Sequence, residues 1–159
     1  MTLVVQTINM TINKAQLHEH CLALLTERIR ELEEAVANVQ ESRNNETKSS
    51  AGDKYETSRA MMQQEEDKLL ARLDNTRQMQ LQLQQLNPTQ QQESAEMGAL
   101  ITTNQRTYYL GVSLGKVSLG NDAIFCISRE APLARLLWQK KAGDSIEING
   151  RKEQILAIF

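Results

Sequence analysis

Apolar residues fall on two helical seams separated by a polar stretch, after which the pattern changes to short runs of strand type. In the first seam Leu22, Leu25, Ile29, Leu32, Val36 and Val39 are separated by 3, 4, 3, 4 and 3 positions. That alternation keeps a stripe on one side of the helix, so it predicts a helix that packs its stripe against another helix. Asn13 and Gln16 supply an N-cap and its capping-box partner ahead of it. The seam runs out in Glu41 to Gly52, which is polar and turn-prone. A second seam follows through Tyr55, Met62, Leu69, Leu73, Thr76, Met79, Leu83 and Leu86, spaced 7, 7, 4, 3, 3, 4 and 3.

Two heptad helices of similar length joined by a short polar stretch predict an antiparallel coiled-coil hairpin over residues 11–87. It buries both seams within one chain. At 1.5 Å per residue an arm of about 30 residues is roughly 45 Å long. A parallel homodimer of each helix would bury the same seams, but Ser50 and Gly52 would then interrupt a continuous rod. The oligomeric state stays open, because an unpaired seam or the glutamine-rich stretch could pair between chains. That stretch has eight Gln in residues 78–92 and runs into Asn87-Pro88, where the helix must end. Residues 88–95 read as a linker.

Residues 96–159 differ in kind. They hold six of the seven Gly and most of the aromatics, including the single Trp. Strands are expected at about 98–103, 106–113, 115–119, 123–127, 145–148 and 153–159. Pro132 to Trp138 reads as a short helix, with Pro in the first turn where its missing N–H costs nothing. Lys140 and Lys141 follow at the end where cations suit the helix dipole. The expectation is a small α+β domain, an antiparallel sheet crossed by one helix.

Composition sharpens this picture. With aromatics at 4% and only two Pro in 159 residues, long helix is favoured over an all-strand or disulfide-scaffold protein. A net charge of −2 excludes a generally basic nucleic-acid coat. No apolar run approaches the length of a membrane span. The opening Met1-Thr2-Leu3-Val4-Val5 lacks the basic and apolar regions of a signal peptide. Cys21 and Cys126 therefore read as reduced thiols of a cytoplasmic protein.

Few residues could carry chemistry. Asp53 and Glu56 stand three apart where the second helix begins, so their side chains share one face with Cβ atoms about 5–6 Å apart. Two such carboxylates can share a hard cation such as Mg²⁺, weakly unless other ligands join them. First-turn acids are equally the residues that cap a helix and suit its dipole. His18 and Cys21 could share a metal at i,i+3, but without a further ligand at useful spacing this segment, with His20, reads as a solvated helix start. Arg135, Lys140 and Lys141 form at most a small basic patch. The glycines at 111, 115 and 120 lack the Lys and the helix-opening context of a phosphate loop.

Two segments carry a resemblance to the GreA/GreB family of bacterial transcript cleavage factors. Gly52-Asp53-Lys54-Tyr55-Glu56 is similar to the family's tip motif Gly-Asp-x-x-Glu, at the start of the second helix. The run from Ser128 through Pro132-Leu-Ala-Arg135-Leu-Leu137 to Lys140-Lys141-x-Gly143-Asp144 resembles the family's C-terminal signature. The resemblance implies an FKBP-like C-terminal domain that docks at the RNA polymerase secondary channel, and a hairpin that enters it. It implies that Asp53 and Glu56 help hold a second Mg²⁺, shared with polymerase and not bound by the free protein. Polymerase itself would then cleave the 3′ end of a backtracked RNA. The chain would be an accessory factor and not an enzyme, with Arg135, Lys140 and Lys141 in the docking domain. The chain departs from the family at Thr57-Ser58-Arg59-Ala60, where an Asn-Ala-Glu-Tyr continuation is common, and at Trp138-Gln139, where Gly is usual. Those departures bear on cleavage and leave polymerase binding in place; the alternative reading is a non-cleaving regulator that occupies the channel, or another coiled-coil interaction module.

Overall fold

The computed structural model describes residues 12–46 and 53–159, with side chains described at 12–45 and 56–159. Helix α1 runs Lys14–Glu46 and α2 runs Asp53–Gln84. Six strands follow: β1 (Leu100–Thr103), β2 (Thr107–Gly111), β3 (Gly115–Leu119), β4 (Asp122–Ser128), β5 (Ser145–Ile148) and β6 (Arg151–Ile158), with α3 (Pro132–Leu137) between β4 and β5. The α+β class and the order of elements are those expected. The reading of Met1–Val5 and the tip glycine Gly52 lie outside the described residues. The contacts form two compact units, Ala23–Gln80 and Met1–Leu22 with Leu81–Phe159. The division falls inside both long helices.

The arm unit is an antiparallel helix pair. Gln80 Nε2 donates to Thr26 Oγ1 at 3.2 Å and Arg77 to Glu33 Oε1 at 2.7 Å. Nearer the turn, Gln40 Nε2 donates to Glu66 Oε1 at 3.1 Å and Arg43 to Gln63 Oε1 at 2.9 Å. Partners descend along α2 as they ascend along α1. Leu25, Val36, Leu69, Leu73 and Thr76 are buried, as their heptad positions predict. The seven-position gap between Met62 and Leu69 is filled by Glu66, itself buried and also paired with Arg43. Outside the seam, the Arg30 pairs with Glu27 and Glu34 are exposed and contribute little.

In the other unit the six strands run in the order β3-β4-β2-β1-β6-β5. One pairing departs from the expected antiparallel sheet: β2 and β4 are parallel, with Tyr109 opposite Cys126 and Leu110 opposite Ile127. The chain leaves β2, passes to the outer edge as β3, and returns as β4 between them, so the crossover is itself a strand. The β5–β6 hairpin closes through Asn149 and Gly150, both with positive φ (51° and 78°). That is the primed turn that Asn-Gly favours.

Both faces of β1 and β2 are buried. On one face Ile101, Tyr108 and Leu110 join Ile155 and Ile146 with Ala134 and Leu137 of α3. On the other face Leu83 and Leu86 approach Gly111, where an added Cβ would meet Leu86 at 3.4 Å. The opening of α1 packs here too. Asn13 caps it as expected, its Oδ1 accepting from the Gln16 N–H at 3.1 Å. Lys14 Nζ donates to the carbonyls of Gln90 and Phe159 at 2.9 and 3.0 Å, and burial lowers its pKa.

Candidate functional site

Asp53 is the first residue of α2 and Glu56 follows three positions on, so the helix register sets both acids on one face of its first turn. Glu56 is exposed. The side chains of Asp53 and Tyr55 lie outside the described residues. Further from the turn, the Arg43 guanidinium and the Gln40 amide satisfy the buried Glu66 carboxylate, which holds α1 and α2 in register. Among the described residues no group of three or more His, Cys, Asp or Glu could hold a metal.

Of Arg135, Lys140 and Lys141, one lines a surface depression. Arg135 is exposed on α3 and lines a shallow depression with Arg129, Glu130 and Trp138. Lys140 and Lys141 do not line it. Their backbones do structural work instead: the Ala95 N–H donates to the Lys140 carbonyl at 2.8 Å, and the Lys141 N–H donates to Asp144 Oδ2 at 2.8 Å. Sequence reasoning passed over Arg129, whose guanidinium lies 4.4 Å from the centre of the Trp138 ring. Such stacking leaves the cation exposed and fixes the indole.

His18 and Cys21 correct the expectation of a solvated helix start. Both are buried, at 5% and 0% exposure. His18 Nδ1 shares a hydrogen bond with Tyr109 Oη at 2.7 Å, and Cys21 Sγ stands 3.7 Å from Cys126 Sγ. Burial lowers the His18 pKa, against a smaller upward pull from Glu19. Burial raises the Tyr109 pKa, helped by the two thiols beside it. The partners stand on β2 and β4, some hundred positions away, and no local pattern announces them. Glu153 was also missed. It is 6% exposed, and its Oε1 accepts from Thr103 Oγ1 at 2.6 Å and Tyr108 Oη at 2.8 Å.

The chain is thus an antiparallel helical arm with a pair of acids opening its second helix, followed by a small mixed sheet with one short helix. No protein-family model matches it, and no curated protein matches it. Among solved structures, that of the transcription factor Gfh1 is similar over 86% of this chain and 92% of the other, at 16% identity and a TM-score of 0.35. At that identity and superposition it fixes neither a family nor an activity. No helix among the described residues is long and apolar enough to cross a membrane.

Proposed function

We propose that this chain is a cytoplasmic transcription elongation factor that binds bacterial RNA polymerase through its secondary channel and stimulates cleavage of backtracked RNA. The observation that carries the reading is the position of Asp53 and Glu56, on one face of the first turn of α2, at the turn of an antiparallel arm. The sequence resemblance of Gly52 to Glu56 and of Ser128 to Asp144 supports it. Asp53 and Glu56 would hold a Mg²⁺ shared with the polymerase active site. When bound, that ion supplies an activated water and stabilises charge developing on the phosphate. The arm's own contribution is reach and register: the Glu66 pairing with Arg43 and Gln40 fixes how the two helices meet. Arg135, Lys140 and Lys141 belong to the docking domain, and the hydrolytic machinery is the polymerase's.

The replacement of an acid by Arg59 in the tip continuation favours a second reading, occupation of the channel without cleavage. Backtracked elongation complexes decide between them. Wild type should shorten the RNA 3′ end faster across a Mg²⁺ series, and Asp53→Asn/Glu56→Gln should abolish the gain while still binding. Binding without acceleration by wild type overturns the cleavage reading and leaves the regulator. Absence of binding removes both.

A further inference from the structure

The two cysteines, 105 positions apart in the chain, meet in the buried layer between α1 and the sheet. Cys21 is 0% exposed on α1, Cys126 is 2% exposed on β4, and their sulfurs are 3.7 Å apart. Tyr109 flanks the pair, since it is the register partner of Cys126 and bonds His18 one turn before Cys21. Closing to a disulfide length of about 2.05 Å needs less than about 2 Å of movement, within what side-chain rotation and a small helix shift provide. Among the described residues no group of three His, Cys, Asp or Glu includes the thiols.

We propose that Cys21 and Cys126 are a redox modification site, which a peroxide converts reversibly to an intramolecular disulfide joining α1 to β4. The hydrogen bond between the two thiols pulls the Cys21 pKa down while that of Cys126 rises, so Cys21 is the sulfur that attacks the peroxide first. In the first step the Cys21 sulfur takes one peroxide oxygen, the O–O bond breaks, and a sulfenic acid and water result. In the second, the Cys126 sulfur attacks the sulfenic sulfur, the S–S bond forms, and the hydroxyl leaves with the Cys126 proton as water. Two thiols lose two electrons and two protons, and one peroxide becomes two waters. Because both sulfurs are buried, the first step waits on a brief opening of the α1 start from the sheet. The bond then clamps that start in place. The inference stands apart from the function proposed for the tip.

The full-length chain, reduced and freed of reductant, is exposed to hydrogen peroxide, alkylated in denaturant, and read by intact mass and peptide mapping. The expected product is lighter by about 2 Da before alkylation, carries no alkyl group, yields one peptide pair joining positions 21 and 126, and reverts with dithiothreitol. Closing so long a loop should raise the melting temperature by roughly 5–10 °C. Cys126→Ser and Cys21→Ala should each lack the linked peptide, and the wild-type mapping decides the matter even if either folds poorly. Two alkylated thiols after oxidation overturn the proposal, as do overoxidised thiols without a linked peptide or a bond between two chains.

Discussion

Glu66 in the arm and Glu153 in the sheet are equally buried, each 6% exposed, yet they are held in different ways. Glu66 takes a guanidinium from Arg43 and an amide from Gln40, both reaching across from the facing helix. Glu153 takes two hydroxyls, from Thr103 of β1 and Tyr108 of β2. A two-helix arm has a seam but no interior. A polar group in it must be met by long side chains whose stems run along the seam, and Arg43 keeps 23% of its side chain in water. The sheet has neighbours on several strands and can supply short donors from within the core. The arm's carboxylate therefore fixes register between two elements, whereas the sheet's ties three strands together.

The single Trp, Trp138, reports the sheet unit, while helical circular dichroism is dominated by α1 and α2. Ile155→Ala should lower the stability read by Trp fluorescence by about 2–5 kcal/mol. Leu69→Ala, with one facing helix to pack against, should cost about 2 kcal/mol in the helical signal and leave the Trp transition in place. Equal shifts of both signals in both variants would show a single cooperative body. Tyr108→Phe leaves Glu153 with one hydroxyl and should destabilise the sheet by about 1–3 kcal/mol. Arg43→Met should cost the arm about 1–2 kcal/mol, most of it recovered in Arg43→Met/Glu66→Leu, which restores an apolar seam. A harmless Arg43→Met would make that pair decoration.

The smallest effect concerns His18, whose neighbours include Tyr109, Glu19 and Lys14. Its folded pKa lies below the ordinary value of 6.5, so the unfolded chain takes up the proton first. Its contribution to stability is whole above about pH 6.5 and is lost as pH falls below that value, down through the folded pKa. Melting curves between pH 7.5 and 5 should show a steeper fall for wild type than for His18→Gln. Parallel curves would place no proton linkage at this site.

The arm was legible in the sequence because alternating spacings of three and four admit few other readings. Leu25, Val36, Leu69, Leu73 and Thr76 are buried where the seams put them. Glu66 was not legible, because a charged residue at a seam position makes sense only beside Arg43 on the other helix. The strands and the Pro132 helix were legible from local composition and turns. The parallel pairing of β2 with β4 was not, since no local pattern states which strand becomes the neighbour of another. For the same reason His18 and Cys21 looked solvated: what covers them is Tyr109 and Cys126, brought there by the sheet. The acid pair opening α2 was legible as a motif and as a register, and its side-chain geometry at Asp53 lies outside the described residues.

The proposed function requires the turn of the arm to reach the active site of RNA polymerase. The most direct measurement replaces Thr57, exposed and one residue beyond Glu56, with a photo-crosslinking amino acid and irradiates the chain in backtracked elongation complexes. Cross-links to the polymerase secondary channel or to the RNA 3′ end, lost on competition with unlabelled chain, are the expected result. Cross-links confined to other surfaces of polymerase, or none above those of a free-protein control, would contradict it.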